Sequence, residues 1–203
     1  GGLCQAAISS FSLVPSNPSP KPEPPSLKAV PATEAGPWRP GIAAVETVAV
    51  NLVVWLAGYL TGGQQAFISL QTMNDNFKYW FEWDPNHFKT NFFAHPYHGS
   101  LYFNAGRSNG LNYWQSGLCS LGGSFVWETM MERWRPSIND LIMTTTGGMF
   151  LGEALFRYTA LIHTDNAKVF DRIWRETACL LLNPVGSLNR LFFGGDVSKP
   201  TGF

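Results

Sequence analysis

Charge is scarce in this sequence. Asp, Glu, Lys and Arg make up 14% of its 203 residues, against roughly 25% in an ordinary soluble domain. Fourteen basic and fourteen acidic residues cancel to a formal net charge of zero, which removes the long-range attraction to a polyanion and argues against nucleic acid as a partner. Cysteine is scarce too. Cys4, Cys119 and Cys179 show no CxxC spacing and no neighbouring histidine, so they form neither a zinc site nor a disulfide framework. Cys119 and Cys179 lie in apolar runs and read as small buried hydrophobes. Alternation of apolar and polar residues over a useful length is missing, which excludes a sheet and leaves an all-α domain. What the chain has instead is aromatic rings, with 8 Trp and 15 Phe. A chain this poor in charge and rich in rings hides most of its surface in protein, lipid or both.

Nine of the fourteen prolines fall in residues 15–40. Proline at that density removes backbone donors and leaves too little apolar surface to offset ordering, so residues 1–40 read as a leader remnant, with Gly2-Leu3-Cys4-Gln5 resembling a lipidated cysteine, followed by a disordered linker. A helical domain is expected over 41–195 and a flexible tail over 196–203. The run Ile42–Leu60 is apolar apart from Glu46, Thr47 and Asn51, and its nineteen residues reach about 28 Å as a helix, enough for a membrane span or a buried core helix. A helix over Ile68–Trp83 should turn Phe67, Leu70, Phe77 and Trp80 inward. In Leu118–Trp134 the spacing puts Ser120, Ser124, Glu128 and Glu132 on one face. Ser137 is an N-cap with Asp140 three residues on, opening a helix to about His163 in which Gly148 and Gly152 form GxxxG for close helix contact. Lys168–Leu182 is amphipathic, with Phe170, Ile173, Trp174, Thr177 and Leu181 on one side, and NPVGSLNRLF follows as a short turn. The expected architecture is a compact bundle of three to five apolar helices with a long aromatic-rich loop.

The polar residues in this setting are the candidates for chemistry. His95 and His98, three apart in HPYHGS, can bind one metal or transfer protons near neutral pH. They lack the glutamate of HExxH. Arg107, among Asn104, Asn109 and Asn112, either grips an anionic group such as a lipid headgroup in a forked contact or pairs with a helix carboxylate. Glu153 has Arg157 one turn on and reads as a local salt bridge. Glu128 has no sequence partner and is the carboxylate expected to meet His95, His98 or Arg107. A His95, His98 and Glu128 set, with Asp140 nearby, suits a divalent metal and an activated water, or a structural polar network.

The stretches HPYHGSLYFNAGRSNG, PSINDLI and NPVGSLNRL, with GGS before WE and GE-x-x-x-R between them, resemble an uncharacterised bacterial cell-envelope family, domain of unknown function 3943, over about Val45 to Phe192. The resemblance implies a Gram-negative envelope location, at the membrane or the periplasmic face of the outer membrane. It also implies that His95, His98, Asn104, Arg107, Glu128, Asp140, Glu153 and Arg157 are the family's polar positions, and it implies no known activity. MERWRPSIND departs from a more acidic stretch, which suggests that the charges of Glu132–Arg135 stand outside any site. The expected function is a membrane-associated scaffold or contact module for lipid or an outer-membrane protein, without a cofactor. The alternative is a hydrolase of lipid or cell-wall material that uses the His/Glu set or a divalent metal.

Overall fold

The computed structural model describes residues 38–85, 88–162 and 169–193. Of the expected leader remnant and linker over 1–40, residues 1–37 lie outside the described residues, as does the expected tail over 196–203, and Pro40 already belongs to a helix. The described chain is all-α. Helix α1 spans Pro40–Leu60, α2 Leu70–Lys78, and α3 His95–Ser108 after a π-turn at Thr90–Ala94. Helix α4 spans Tyr113–Val126 and runs on as a π-turn to Met131. Helix α5, Ile138–Ile142, passes through a π-turn at Met143–Gly147 into α6, Gly148–Ile162, and α7 (Val169–Leu182) and α8 (Pro184–Phe193) follow. Among the described residues no strand forms, and one isolated parallel bridge joins Glu82 to Ser137.

Several local signals act as the sequence predicts. Ser137 Oγ accepts from the Asp140 N–H at 3.2 Å and caps α5. A capping box not foreseen from the sequence, Asn112 with Gln115, starts α4 at Tyr113, ahead of the expected Leu118. Other expectations fail. HPYHGS, expected within the aromatic-rich loop, is helix, and Pro96 is accommodated just after the π-turn at Thr90–Ala94 that leads into it. The segment after Asn183 is the helix α8 rather than a short turn, started by a Pro at its first position and by Asn183 Oδ1 accepting from Gly186 N at 2.9 Å. These additions take the helices beyond the expected three to five.

The largest departure concerns which face turns inward. On α1 the buried residues are Ala43, Thr47 and Asn51, one turn apart, while Val45, Val48, Leu52, Val53 and Leu56 are exposed. On α4 the inner face is Ser116, Gly117, Ser120, Gly123 and Ser124, and Trp114, Leu118, Leu121 and Phe125 face out. Helix α7 exposes Phe170, Ile173, Trp174 and Leu181 while Cys179 is its one buried residue. Phe67, Leu70, Phe77 and Trp80 around α2 are likewise outside, against expectation. Periodicity marks a stripe but carries no sign. Here the small and polar stripe is the interior.

Glycine makes that interior possible. Helix α3 is the central element, and it crosses the α5–α6 rod backbone to backbone. A Cβ on Gly99 would fall inside the Thr144 carbonyl, and one on Gly148 would come within 2.5 Å of the Gly99 backbone. Gly152 lies against Phe103, and Gly123 against the Tyr102 ring. Tyr102 and Phe103 are fully buried rings of the core.

This packing generates a contrast. Gly99→Ala pushes two backbones apart and is expected to cost at least about 2 kcal/mol in stability. Gly122→Ala meets nothing within 4 Å and, being helical, gains up to about 1 kcal/mol. Thermal melting of the two variants in detergent checks both signs.

Candidate functional site

The polar residues gather at the two ends of α3. At its C-terminal end Arg107, only 2% exposed, holds Glu153 from α6 through Nε at 2.8 Å and Nη2 at 3.2 Å. It also donates to the Leu111 carbonyl at 3.0 Å and lies over the Phe156 ring. Arg157 reaches the same carboxylate at 2.6 Å. Asn109 Nδ2 and Asn189 Nδ2 both donate to Glu46 Oε2, at 2.8 and 2.9 Å, which supplies the charge in the apolar α1 with two donors. Asn104 is fully buried midway along α3, and neither end of its amide meets a partner among the described residues. Of the two geometries open to Arg107, the structure has the forked pairing with a helix carboxylate.

The N-terminal end of α3 opens into a hollow of about 1020 Å³, whose lining includes Asp84, His95, His98, Trp127, Glu132 and Asp140. The two histidines differ. His95 has Nδ1 3.1 Å from Thr144 Oγ1, while its Nε2 lies 3.3 Å from Asp140 Oδ1 without a hydrogen bond to it. His98 has Nε2 2.7 Å from Tyr102 Oη, and its ring is held between Tyr102 and the edge of Trp127.

The direction of the protons follows from the far end of that chain. Asn51 Nδ2 donates to the Gly123 carbonyl at 3.2 Å, so Asn51 Oδ1 must accept. The short hydrogen bond from Tyr102 uses its only proton on that oxygen. Tyr102 Oη therefore accepts from His98, and neutral His98 carries its proton on Nε2. Among the described residues Nδ1 has no partner, leaving a lone pair at the lining of the hollow.

Glu128 is 2% exposed, but no hydrogen bond or ion pair joins it to His95, His98 or Arg107. The chain turns back at Pro136 and brings the Ser137 N–H to Glu128 Oε2 at 2.9 Å, so the backbone takes the place of the expected partner. Oε1 has no partner. Glu132 and Arg135, expected outside any site, both line the hollow. Arg135 is occupied by Glu82 at 3.1 Å. Glu132 accepts from Trp127 Nε1 at 2.9 Å. Burial, with Asp140 and Asp84 adding like charge, pushes Glu132 up to about 7. Sequence reasoning missed Asn51 and Tyr102, although Tyr102 stands one helical turn after His98. It also missed Asp84, which no spacing links to the histidines. Among the described residues no three His, Cys, Asp or Glu side chains are arranged to hold a metal ion.

A family model described as a domain of unknown function (DUF3943) matches residues 80–185. That span is narrower than the expected Val45–Phe192 and omits α1 and α2. No curated protein and no solved structure matches the chain.

Two predictions follow from this geometry. Tyr102→Phe leaves Asn51 Oδ1 and His98 Nε2 unpaired in a buried setting and should cost about 1–3 kcal/mol. Imidazole nitrogen shifts in NMR should then change from a single Nε2–H tautomer of His98 to a mixture. A glutamate whose folded value exceeds the ordinary 4.5 binds more protons folded than unfolded, so its contribution lowers stability as pH climbs from about 4.5 to about 7 and levels off above. Glu132→Gln should flatten that slope in melting temperature against pH.

Proposed function

The chain belongs to the DUF3943 family, a domain family of unknown function, and from that premise we propose that it is a membrane-embedded helical domain of the cell envelope, with lipid as its partner and a polar hollow at one end. The observation that carries the reading is the inverted distribution of side chains. Helix α1 is long and apolar enough to span a bilayer, yet only 22% of its most apolar stretch is buried. A soluble core helix would bury that stretch. In water, outward-facing apolar stripes on α1, α4 and α7 would be continuously hydrated at about 25 cal/mol per Å². In hydrocarbon they are at rest, and the small and polar residues inside are those that hold membrane helices together.

The rings support the same reading. The Arg39 N–H bonds the Asn109 carbonyl, so the N-terminus of α1 adjoins the α3–α4 turn, where Trp38 and Trp114 are exposed. The Arg133 N–H bonds the Gln65 carbonyl near the other end of α1, where Tyr59, Trp80, Trp83 and Trp134 are exposed. Twenty-one residues of helix, about 32 Å, lie between. Two belts of Trp and Tyr at that separation suit the two interfaces of a bilayer. Glu46, Thr47 and Asn51 of α1 are all partnered: Glu46 takes Asn109 and Asn189, Thr47 bonds the Ala43 carbonyl of its own helix, and Asn51 takes Tyr102 and Gly123. That removes the cost of placing them in lipid.

One observation favours the second reading, a hydrolase of lipid or cell-wall material. The oriented His98, with Nδ1 unpartnered at the hollow, has the geometry of a general base. Its metal-dependent form finds no arranged ligand set among the described residues.

Two measurements test the membrane reading. The expressed chain should remain in the membrane pellet after alkaline carbonate washing; a soluble monomer without detergent overturns the proposal. Leu52→Lys, on the outer face of α1, should reduce insertion by about 2.5–3.5 kcal/mol. In a soluble bundle the same exposed substitution would be close to neutral.

A further inference from the structure

An apolar groove of about 450 Å³ runs along α1 and α4, on the side where Val48 and Leu118 are exposed. Its lining starts at Trp38 and Pro40 before and on α1 and at Gln115 on α4, and it ends at Asn51 and Val126. Eleven residues of helix separate those ends on each side, a length of about 16 Å. The hydrocarbon of one leaflet is about 15 Å deep, half that of a bilayer. In the membrane reading, on which this inference rests, Trp38 marks one interface. The groove then reaches from headgroup level to mid-depth and follows a single leaflet.

Deep in the groove the polar groups are already used. Thr47 Oγ1 donates to the Ala43 carbonyl, and Asn51 bonds Tyr102 and the Gly123 carbonyl. A second observation concerns Gly122, within the same lining. It stands in the body of α4, where glycine costs about 1 kcal/mol against alanine. Yet a Cβ there would meet nothing within 4 Å. Gly99, Gly123 and Gly148 each admit a neighbouring part of the chain, and Gly122 admits none. Its missing side chain leaves the groove deeper for something else.

We infer that this groove seats one acyl chain of a phospholipid from the leaflet at the Trp38 end. A volume of about 450 Å³ over about 16 Å gives a cross-section of about 28 Å², room for one extended hydrocarbon chain. A helix about 10 Å across has about three times that section, so a second copy of the chain would lie on the groove rather than in it. Lipid tails are as apolar as Val or Leu, so what holds the chain is its fit between two helices.

The full chain is inserted in phosphatidylglycerol bilayers containing a phosphatidylglycerol with a photoactivatable diazirine midway along one acyl chain. After irradiation, mass spectrometry locates the adducts residue by residue. Val48, Leu118 and Cys119, in the groove, should carry about tenfold more label than Leu121 and Phe125, which are exposed on α4 outside it. Gly122→Phe puts a ring in the groove and should remove that excess, while Leu121→Phe, a ring beside it, should keep it. Circular dichroism and melting temperature report that both variants fold. Even labelling around α4, or an excess that survives in folded Gly122→Phe, overturns the inference and leaves the membrane reading intact. So does a dimer in detergent that Gly122→Phe converts to monomer, because the groove then belongs to a second copy. A chain that stays in the carbonate supernatant overturns both.

Discussion

The close crossing of α3 against the α5–α6 rod is the contact on which the other features rest. Gly99 and Gly148 bring two backbones together, and no side chain larger than hydrogen fits between them. Such a contact has little apolar area to gain from water. Its stability comes from dispersion between tightly fitted surfaces and from the hydrogen bonds formed around it, such as Ser120 Oγ donating to the Gly99 carbonyl at 2.9 Å. A fold held this way needs its polar groups satisfied from within. Arg107 with Glu153, Glu46 with two asparagines, and Ser137 with Glu128 meet that need at separate places. The apolar residues are then left over, and they cover the outside.

That inversion explains what was and was not legible in the sequence. The all-α class, the Ser137 cap, the GxxxG of α6 and the Glu153–Arg157 pair are local, set by residues within a few positions of one another, and each reads directly. The orientation of the helices is a different kind of fact. The stripe Phe170, Ile173, Trp174, Leu181 is visible in the sequence as a stripe, but whether it faces protein or the surroundings depends on what the surroundings are. The same ambiguity turned Phe67, Leu70, Phe77 and Trp80 the wrong way. Partners distant in sequence were the least legible. Glu128 met a backbone N–H instead of a histidine, and a backbone donor has no signature in residue types. Asp84 reaches the hollow only because the Glu82–Ser137 bridge ties its segment beside α5.

The histidines show how much turns on such distant contacts. In sequence His95 and His98 are equivalent members of one motif. In the fold they separate into a histidine paired with Thr144 and standing beside Asp140, and a histidine paired with Tyr102. The difference is written by Asn51, 47 positions before His98 on a helix outside the family-matched segment. Asn51 is fixed by the Gly123 carbonyl, and that single choice runs through Tyr102 to the imidazole. Replacing the amide with an apolar side chain would leave Tyr102 free to donate to His98 instead, moving the His98 proton to the nitrogen at the hollow. The His98 nitrogen at the hollow would then donate instead of accept. The chemistry of the hollow is therefore set by the inward polar face of α1, the same face whose outward side carries the apolar stripe. The exposed apolar stripe and the chemistry at the hollow are two sides of one helix, and the residue spacing that serves one constrains the other.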